Sequence, residues 1–421
     1  MTQPSVLVIT RHYFPEPTGS APPMTQLAEW MAREGFPTRV VTVRPSYPTP
    51  HVFDGYAQGQ RDRETLNQVD VIRWPTNPVR GTGLLWRVGP ECRFMLQLWK
   101  AYLSNSFRPA RMLVSLSPSI FTVIGALGFR ASGGRHIAVV HDIQSGLGQA
   151  LGSPAVKMLM LALKRLERWT LNRVDEVVVL SDSMADAIRS LGVTRPITVL
   201  PPQIDCSAIQ PRPRATGAPP TLMYSGNFGR KQGLQQVLDA AELLKVREPD
   251  IRIIMRGEGA LKSAIEQEIL TRGLTNIQFL PLVAEEELCA SLAEGDVHLV
   301  PQIADGGDFA VPSKAFAIMA AGRPFIATGT PGSAIDRLAR ASGAFVCVPP
   351  FDSEAFARTA AALLRDDLRR ARLGEAGRRF VLGYANTEVV MRRMVDLLEG
   401  DNSGGDHRHT EFEHKALRAA H

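Results

Sequence analysis

Strand-length apolar runs recur along this chain, separated by helical patterns, and most of them are continuous rather than alternating. SVLVIT (5–10), PTRVVTV (37–43), VDVIRWP (69–75), ARMLVSLS (110–117), HIAVVHD (136–142), DEVVVLS (175–181) and PITVLPP (196–202) form a first set. A strand without a polar face has both faces covered, which points to a parallel sheet layered with helices. Between the first two strands, MTQLAEWMAREG sets Met24, Leu27, Ala28 and Met31 at helical spacing, with Gly35 at the stop. SAIQPRPRATGAPP (207–220) breaks the rhythm with four prolines and reads as a linker. The rhythm then restarts with PTLMYSG (220–226), IRIIMRG (251–257), IQFLPLV (277–283), VHLVPQ (297–302), PFIATG (324–329) and AFVCVP (344–349). The expected fold class is therefore α/β, with two Rossmann-like domains at 1–205 and 218–375 joined by a linker at 206–217. Two further helices are expected over 353–375 and 378–399. The tail 400–421 reads as disordered rather than as a histidine metal site.

A length of 421 residues exceeds one ordinary core and agrees with two domains. The formal net charge of +6 favours anionic partners: a nucleotide, a nucleic acid or an anionic membrane surface. No RNP, KH, helix-turn-helix or zinc-finger pattern supports nucleic acid. Cys92, Cys206, Cys289 and Cys347 make no CxxC, so neither a zinc site nor a disulfide framework is expected, and a cytoplasmic home fits. RHYFPEP follows the opening strand where a signal peptide would place its cleavage site. No run of about 18 uninterrupted apolar residues predicts a spanning helix. Surface association stays open. Residues 84–108 interleave Trp86, Phe94, Trp99 and Tyr102 with Arg87, Arg93, Lys100 and Arg108. Residues 156–173 carry Lys157, Lys164, Arg165, Arg168 and Arg173 beside an apolar stripe. Both segments fit an anionic membrane surface and fit ordinary sheet-covering helices equally well.

Parallel sheets bind ligands at the carboxyl ends of their strands, and the candidate residues gather there. Gly19 lies in PEPTGSAPP between the first strand and the first helix, where a ligand-approach loop and a plain tight turn are both open readings. The GxGxxG pattern of a dinucleotide fold is absent. His141 ends the strand HIAVV, with Asp142 next to it; an active-site role and a structural hydrogen bond both remain open. YSGNFGRKQG (224–233) follows a strand and opens a helix with three glycines and two cations, Arg230 and Lys231. Its backbone N–H groups could cradle phosphate, or it could be a solvated basic turn. In 301–329, Asp305 and Asp308 flank two glycines, Pro312 and Ser313 precede a small-residue helix with Ser313 as a plausible N-cap, and Lys314 adds charge. Two acids without further ligands do not make a metal site, so none is expected.

These residues bring a family into view. HYFPEPTGSAP, VHDIQ, ALKRLERW, VVVLSDSM, YSGNFGRKQGLQQVLDAA, IMRGEGALK, DVHLVPQ and PSKAFAIMAAGRPFIAT occur in an order that resembles the family 4 retaining glycosyltransferases, over about residues 5 to 398. Within it, the chain is similar to bacterial colanic-acid and exopolysaccharide enzymes. The resemblance implies a GT-B fold, with two Rossmann-like domains facing a cleft and the final helix (376–399) crossing back. It implies a nucleotide-sugar donor, UDP- or GDP-linked, held by the second domain. It implies a polyprenyl-diphosphate-linked glycan acceptor at the first domain, on the inner face of the cytoplasmic membrane. It implies no cofactor and no metal.

Carried over by position, His141 lies near the transferred sugar, in a positioning and charge-stabilising role. Gly19 approaches the donor, and Tyr13, Ser20 and Asp142 fall on the acceptor side. Gly226, Asn227 and Gly229 belong to the donor loop; Asn227 and Gln232 stand where the family has an arginine and a lysine. Lys231, and secondly Arg230, then become the donor cations. Gly257, Glu258, Asp308, Pro312, Ser313 and Lys314 complete the donor side. Ala317 occupies the place of a family glutamate and Phe309 the place of its pair, with Asp308 one residue away. A sugar-nucleotide 2-epimerase and a non-catalytic glycan-binding subunit are the rival readings.

Overall fold

The computed structural model describes residues 5–400 apart from 18, 48, 77–83, 118, 143–153 and 304–310. The chain forms two compact units, the first running to Leu200 and resuming at Met391, the second spanning Pro201–Val390. The tail beyond Gly400 and Asp308 lie outside the described residues.

Unit 1 is built on β1 (Val6–Ile9), β2 (Thr38–Val43), β3 (Arg63–Leu66), β4 (Val69–Trp74), β5 (Ala110–Ser117), β6 (Arg130–Val140), β7 (Glu176–Val179) and β8 (Ile197–Val199). They lie in the order β3-β4-β2-β1-β5-β6-β7-β8. Every pair is parallel except β3–β4. All four residues of β1 are fully buried, as a strand covered on both faces requires. Helices α1 (Ala21–Arg33), α2 (Leu84–Leu103), α3 (Ile120–Ala126), α4 (Pro154–Leu171) and α5 (Asp182–Ser190) lie between these strands. Helix α1 buries Met24, Leu27, Ala28 and Met31, the stripe its spacing predicts. The antiparallel β3 escaped the sequence reading because RETL has a single strongly apolar side chain. Its turn at Asn67 and Gln68, with φ of 47° and 69°, uses the left-handed backbone of a tight hairpin without a glycine to signal it.

Unit 2 runs β9 (Thr221–Ser225), α6 (Leu234–Arg247), β10 (Arg252–Arg256), α7 (Lys262–Arg272), β11 (Ile277–Leu280), α8 (Leu288–Glu294), β12 (Val297–Val300), α9 (Ser313–Ala320), β13 (Phe325–Thr328), α10 (Ala334–Ser342), β14 (Val346–Val348), α11 (Ser353–Arg365) and α12 (Asp367–Tyr384); α13 (Thr387–Glu399) starts in unit 2 and passes to unit 1 at Met391. Its six parallel strands are ordered β11-β10-β9-β12-β13-β14. In each sheet the strand order reverses once beside the first strand, between β1 and β5 and between β9 and β12. Such switch points open a crevice at the carboxyl ends of the strands.

The single helix expected over 353–375 is two, because Asp366 turns its carboxylate onto the Arg369 N–H (2.8 Å) and starts α12. Residues 206–217, read as linker, group with unit 2. Cys206 and Ile209 are buried there, and the Arg378 guanidinium donates to the carbonyls of Cys206 (2.9 Å), Ile209 (2.6 Å) and Ala320 (2.6 Å). A proline-rich composition marks a break in regular structure, not a detached tether.

Candidate active site

Each unit carries a constellation at the carboxyl edge of its sheet. In unit 1, His141 directly follows β6, and its N–H still pairs with the Ser117 carbonyl at 2.9 Å. Its Nδ1 lies 3.0 Å from Oγ of Ser20, the residue before α1. Burial pulls the imidazole down to about 4. The ring is therefore neutral at ordinary pH, and a positioning role for it acts through hydrogen bonding. Gly19 adopts φ +71° beside Ser20, the left-handed backbone that turns the loop into the helix. Asp142 is exposed. Tyr13 does not reach solvent: it is 2% exposed, its hydroxyl has no partner among the described residues, and burial pushes its pKa up. Buried in this way, it does not face an acceptor, against the expectation.

In unit 2, the glycine turn after β9 is laced to the turn after β10. The Gly226 N–H donates to the Arg256 carbonyl (3.0 Å) and the Phe228 N–H to the Glu258 carbonyl (2.8 Å). A Cβ on Gly257 would stand 1.8 Å from the Gly226 carbonyl oxygen, and one on Gly259 would meet Asn227 and the Phe228 backbone. Those contacts explain why glycines stand at 257 and 259. They also engage two of the N–H groups that the sequence offered to phosphate. Glu258 is occupied twice, its carboxylate accepting from Lys262 Nζ at 2.7 Å. Asn227 is exposed and Gly229 partly buried.

Arg230 and Lys231 sit on a short 3₁₀ turn, exposed and without an ion-pair partner among the described residues. The amine that comes to the glycine turn belongs instead to Lys314. Its Nζ donates to Gln232 Oε1 at 3.1 Å and stands 4.1 Å over the Tyr224 ring. A Cβ on Gly226 would lie 3.8 Å from it. No carboxylate among the described residues pairs with it, and burial lowers its pKa from 10.5 to about 7. Gln232 thus holds a lysine brought from α9. Pro312 is the N-cap of that helix, and Ser313 is its exposed first residue, with no side-chain capping bond. The N–H groups of Ser313 and Lys314, first in the helix, have no intrahelical acceptor and favour an anion. Tyr224, which also donates to the Asn227 carbonyl at 2.7 Å, and Gln232 are the parts sequence reasoning missed. Among the described residues, no group of three His, Cys, Asp or Glu could hold a metal ion.

The model of the glycosyl transferase 4-like domain matches residues 18–203, and that of glycosyl transferases group 1 matches residues 207–380. The chain belongs to the family 4 glycosyltransferases. This transferase is 29% identical over 414 residues to the putative colanic acid biosynthesis glycosyl transferase WcaI of Escherichia coli (strain K12), a match covering 94% of this chain and 100% of that protein. Among solved structures it is similar to sucrose-phosphate synthase from Thermosynechococcus elongatus, with a TM-score of 0.72 and 19% identity over 95% of this chain and 99% of that one. It is also similar to Anabaena HepE in complex with UDP and glucose, with a TM-score of 0.66 and 13% identity over 94% and 100% of the two chains. Those likenesses show a GT-B fold. The transferase uses a nucleotide sugar as substrate and a glycan as acceptor. The epimerase and non-catalytic readings give way to this assignment.

Proposed function

We propose that this transferase moves a sugar, with retention of anomeric configuration, from a UDP- or GDP-sugar to a growing, polyprenyl-diphosphate-linked exopolysaccharide at the inner face of the cytoplasmic membrane. The observation that carries the donor half is Lys314, an amine with no carboxylate partner among the described residues, set at the start of α9 beside Gly226. Removing an ammonium group from water without a counter-charge is costly. A donor diphosphate supplies that counter-charge, and the helix N-terminus adds to the attraction. As the glycosidic bond breaks, negative charge grows on the departing diphosphate, and donors already aimed at it stabilise the transition state. Arg230 and Lys231 strengthen the field from their exposed turn. His141, neutral and held by Ser20, positions a hydroxyl of the transferred sugar.

The lipid-linked acceptor has separate support in unit 1. Helix α2 exposes Leu96, Trp99, Tyr102 and Leu103, and α4 exposes Met158, Leu161 and Trp169. Arg93, Lys100, Lys157, Arg165 and Arg168 are exposed on the same helices. Apolar and aromatic side chains among cations fit an anionic bilayer surface. No described helix is long and apolar enough to cross a membrane. The name of the WcaI relative supports the exopolysaccharide part of the reading.

The test is a panel of UDP- and GDP-sugars incubated with the full chain and extracted polyprenyl-diphosphate-linked glycans, with products read by mass spectrometry and anomeric configuration by NMR. One donor giving a retained linkage is expected. Absence of both donor binding and transfer across the panel overturns the proposal, and an inverted product overturns retention.

A further inference from the structure

In the loop that leaves β1 lies a carboxylate that no donor-side argument uses. Glu16 is buried, with its side chain 2% exposed. Its Oε1 accepts the backbone N–H groups of Ser46 and Tyr47, both at 2.9 Å, and its Oε2 lies 2.6 Å from Nδ1 of His12. A carboxylate only accepts hydrogen bonds, so the neutral imidazole that faces it carries its proton on Nδ1 and presents the Nε2 lone pair. Nε2 has no partner among the described residues, and the His12 side chain is 22% exposed. Its backbone is also pinned, with the N–H donating to Thr10 Oγ1 (3.2 Å) and the carbonyl accepting from the same hydroxyl (3.0 Å).

The same carboxylate fixes a neighbouring ring. Tyr47 meets His12 edge-on, with ring centroids 5.6 Å apart, and remains half exposed at 49%. A Cβ on Gly19 would lie 3.9 Å from Tyr47 Cε1, so the ring stands against the Gly19–Ser20 turn that carries the contact to His141. An open aromatic face beside a fixed hydrogen-bond acceptor suits a pyranose. The C–H face of the sugar covers the ring, and a hydroxyl donates to the nitrogen.

We propose that His12 and Tyr47, both held in place by Glu16, form an acceptor subsite in unit 1 that takes a pyranose unit of the glycan, one of whose hydroxyls donates to His12 Nε2. The proposal rests on the reading of unit 1 as the acceptor side. Glu16 is the positioning residue, and His12 and Tyr47 are the contacts.

The experiment uses the full chain and a panel of methyl glucosides, mannosides, galactosides and fucosides, followed by saturation-transfer NMR. His12→Asn keeps a donor near the Nδ1 position for Glu16 and removes Nε2. Tyr47→Leu removes the aromatic face, and Tyr47→Phe restores it. At least one pyranoside is expected to receive saturation from the wild type, to lose it with His12→Asn and Tyr47→Leu, and to regain it with Tyr47→Phe. No saturation with the wild type, or equal saturation in all variants, overturns the subsite. UDP and GDP binding measured in the same samples reports on the donor reading separately, so the two can fail independently.

Discussion

A lysine amine held by one side-chain amide and a tyrosine ring, its pKa lowered by burial to about 7, changes charge near neutrality. The diphosphate of a nucleotide sugar is esterified at both ends and keeps its charge across this range, so any pH dependence of its binding comes from the protein. Because the anion favours the ammonium form, donor affinity is expected to rise as pH falls from about 8 to about 6. In Lys314→Met, isothermal titration calorimetry with the intact donor should show a Kd raised about 10- to 100-fold, the worth of one hydrogen bond to a charged group. The pH dependence should flatten as well. Lys231→Ala, which removes an exposed cation, should cost less; the reverse ranking sinks the assignment. Stability moves with the opposite sign. The folded pKa lies below the unfolded one, so the unfolded chain binds more protons between about 7 and 10.5. The unliganded wild type therefore gains stability across that window as pH rises, relative to Lys314→Met. The sequence displayed Arg230 and Lys231 as adjacent charges on a glycine-rich turn, and they drew the first assignment. What it could not display is a contact between Gln232 and Lys314 across 82 positions. His12 and Glu16 show the same divide. Their spacing is plain in HYFPE, but the backbone groups of Ser46 and Tyr47 that give the carboxylate its role come from the loop after another strand.

Elements were more legible than contacts. Continuous apolar runs announced the parallel strands because burial on both faces writes itself into composition. The one antiparallel strand, β3, left no such mark. Turns were legible by position and misleading in detail. The stretch 226–229 does follow a strand and face the switch point, but two of its N–H groups bind the turn after β10 instead of waiting for phosphate. That pairing predicts a sharp intolerance. Gly257→Ala would drive a Cβ into the Gly226 carbonyl while holding φ at +155°. The two turns must then separate, at a cost of about 2–4 kcal/mol from overpacking and backbone strain together. Calorimetric melting should show the loss in the second unit, accompanied by weaker donor binding. A fully stable Gly257→Ala variant with unchanged donor affinity would contradict the coupling of the two turns.

At the scale of the whole chain, the two βα series were readable, and the family models match residues 18–203 and 207–380. The ownership of the final helix was not readable from pattern alone. Helix α13 begins in unit 2, yet from Met391 onward it belongs to unit 1, where Met391, Met394, Leu397 and Leu398 are buried and Arg393 donates to the Val199 carbonyl at 3.2 Å. Burying four such side chains is worth on the order of 6 kcal/mol. A chain stopped at Val390 should therefore show, by differential scanning calorimetry, a first unit that melts well below its full-length value and a second unit little changed. Equal melting of the first unit in both chains would remove α13 from its core.

The same arrangement orders events on the ribosome. Leu200 emerges long before Met391, and at about 5–20 residues per second the interval is on the order of 10–40 s. Throughout that time the first unit lacks the helix that covers part of its core. The N-terminal half must wait, with apolar surface open to proteases and chaperones, until the C-terminal half has been made.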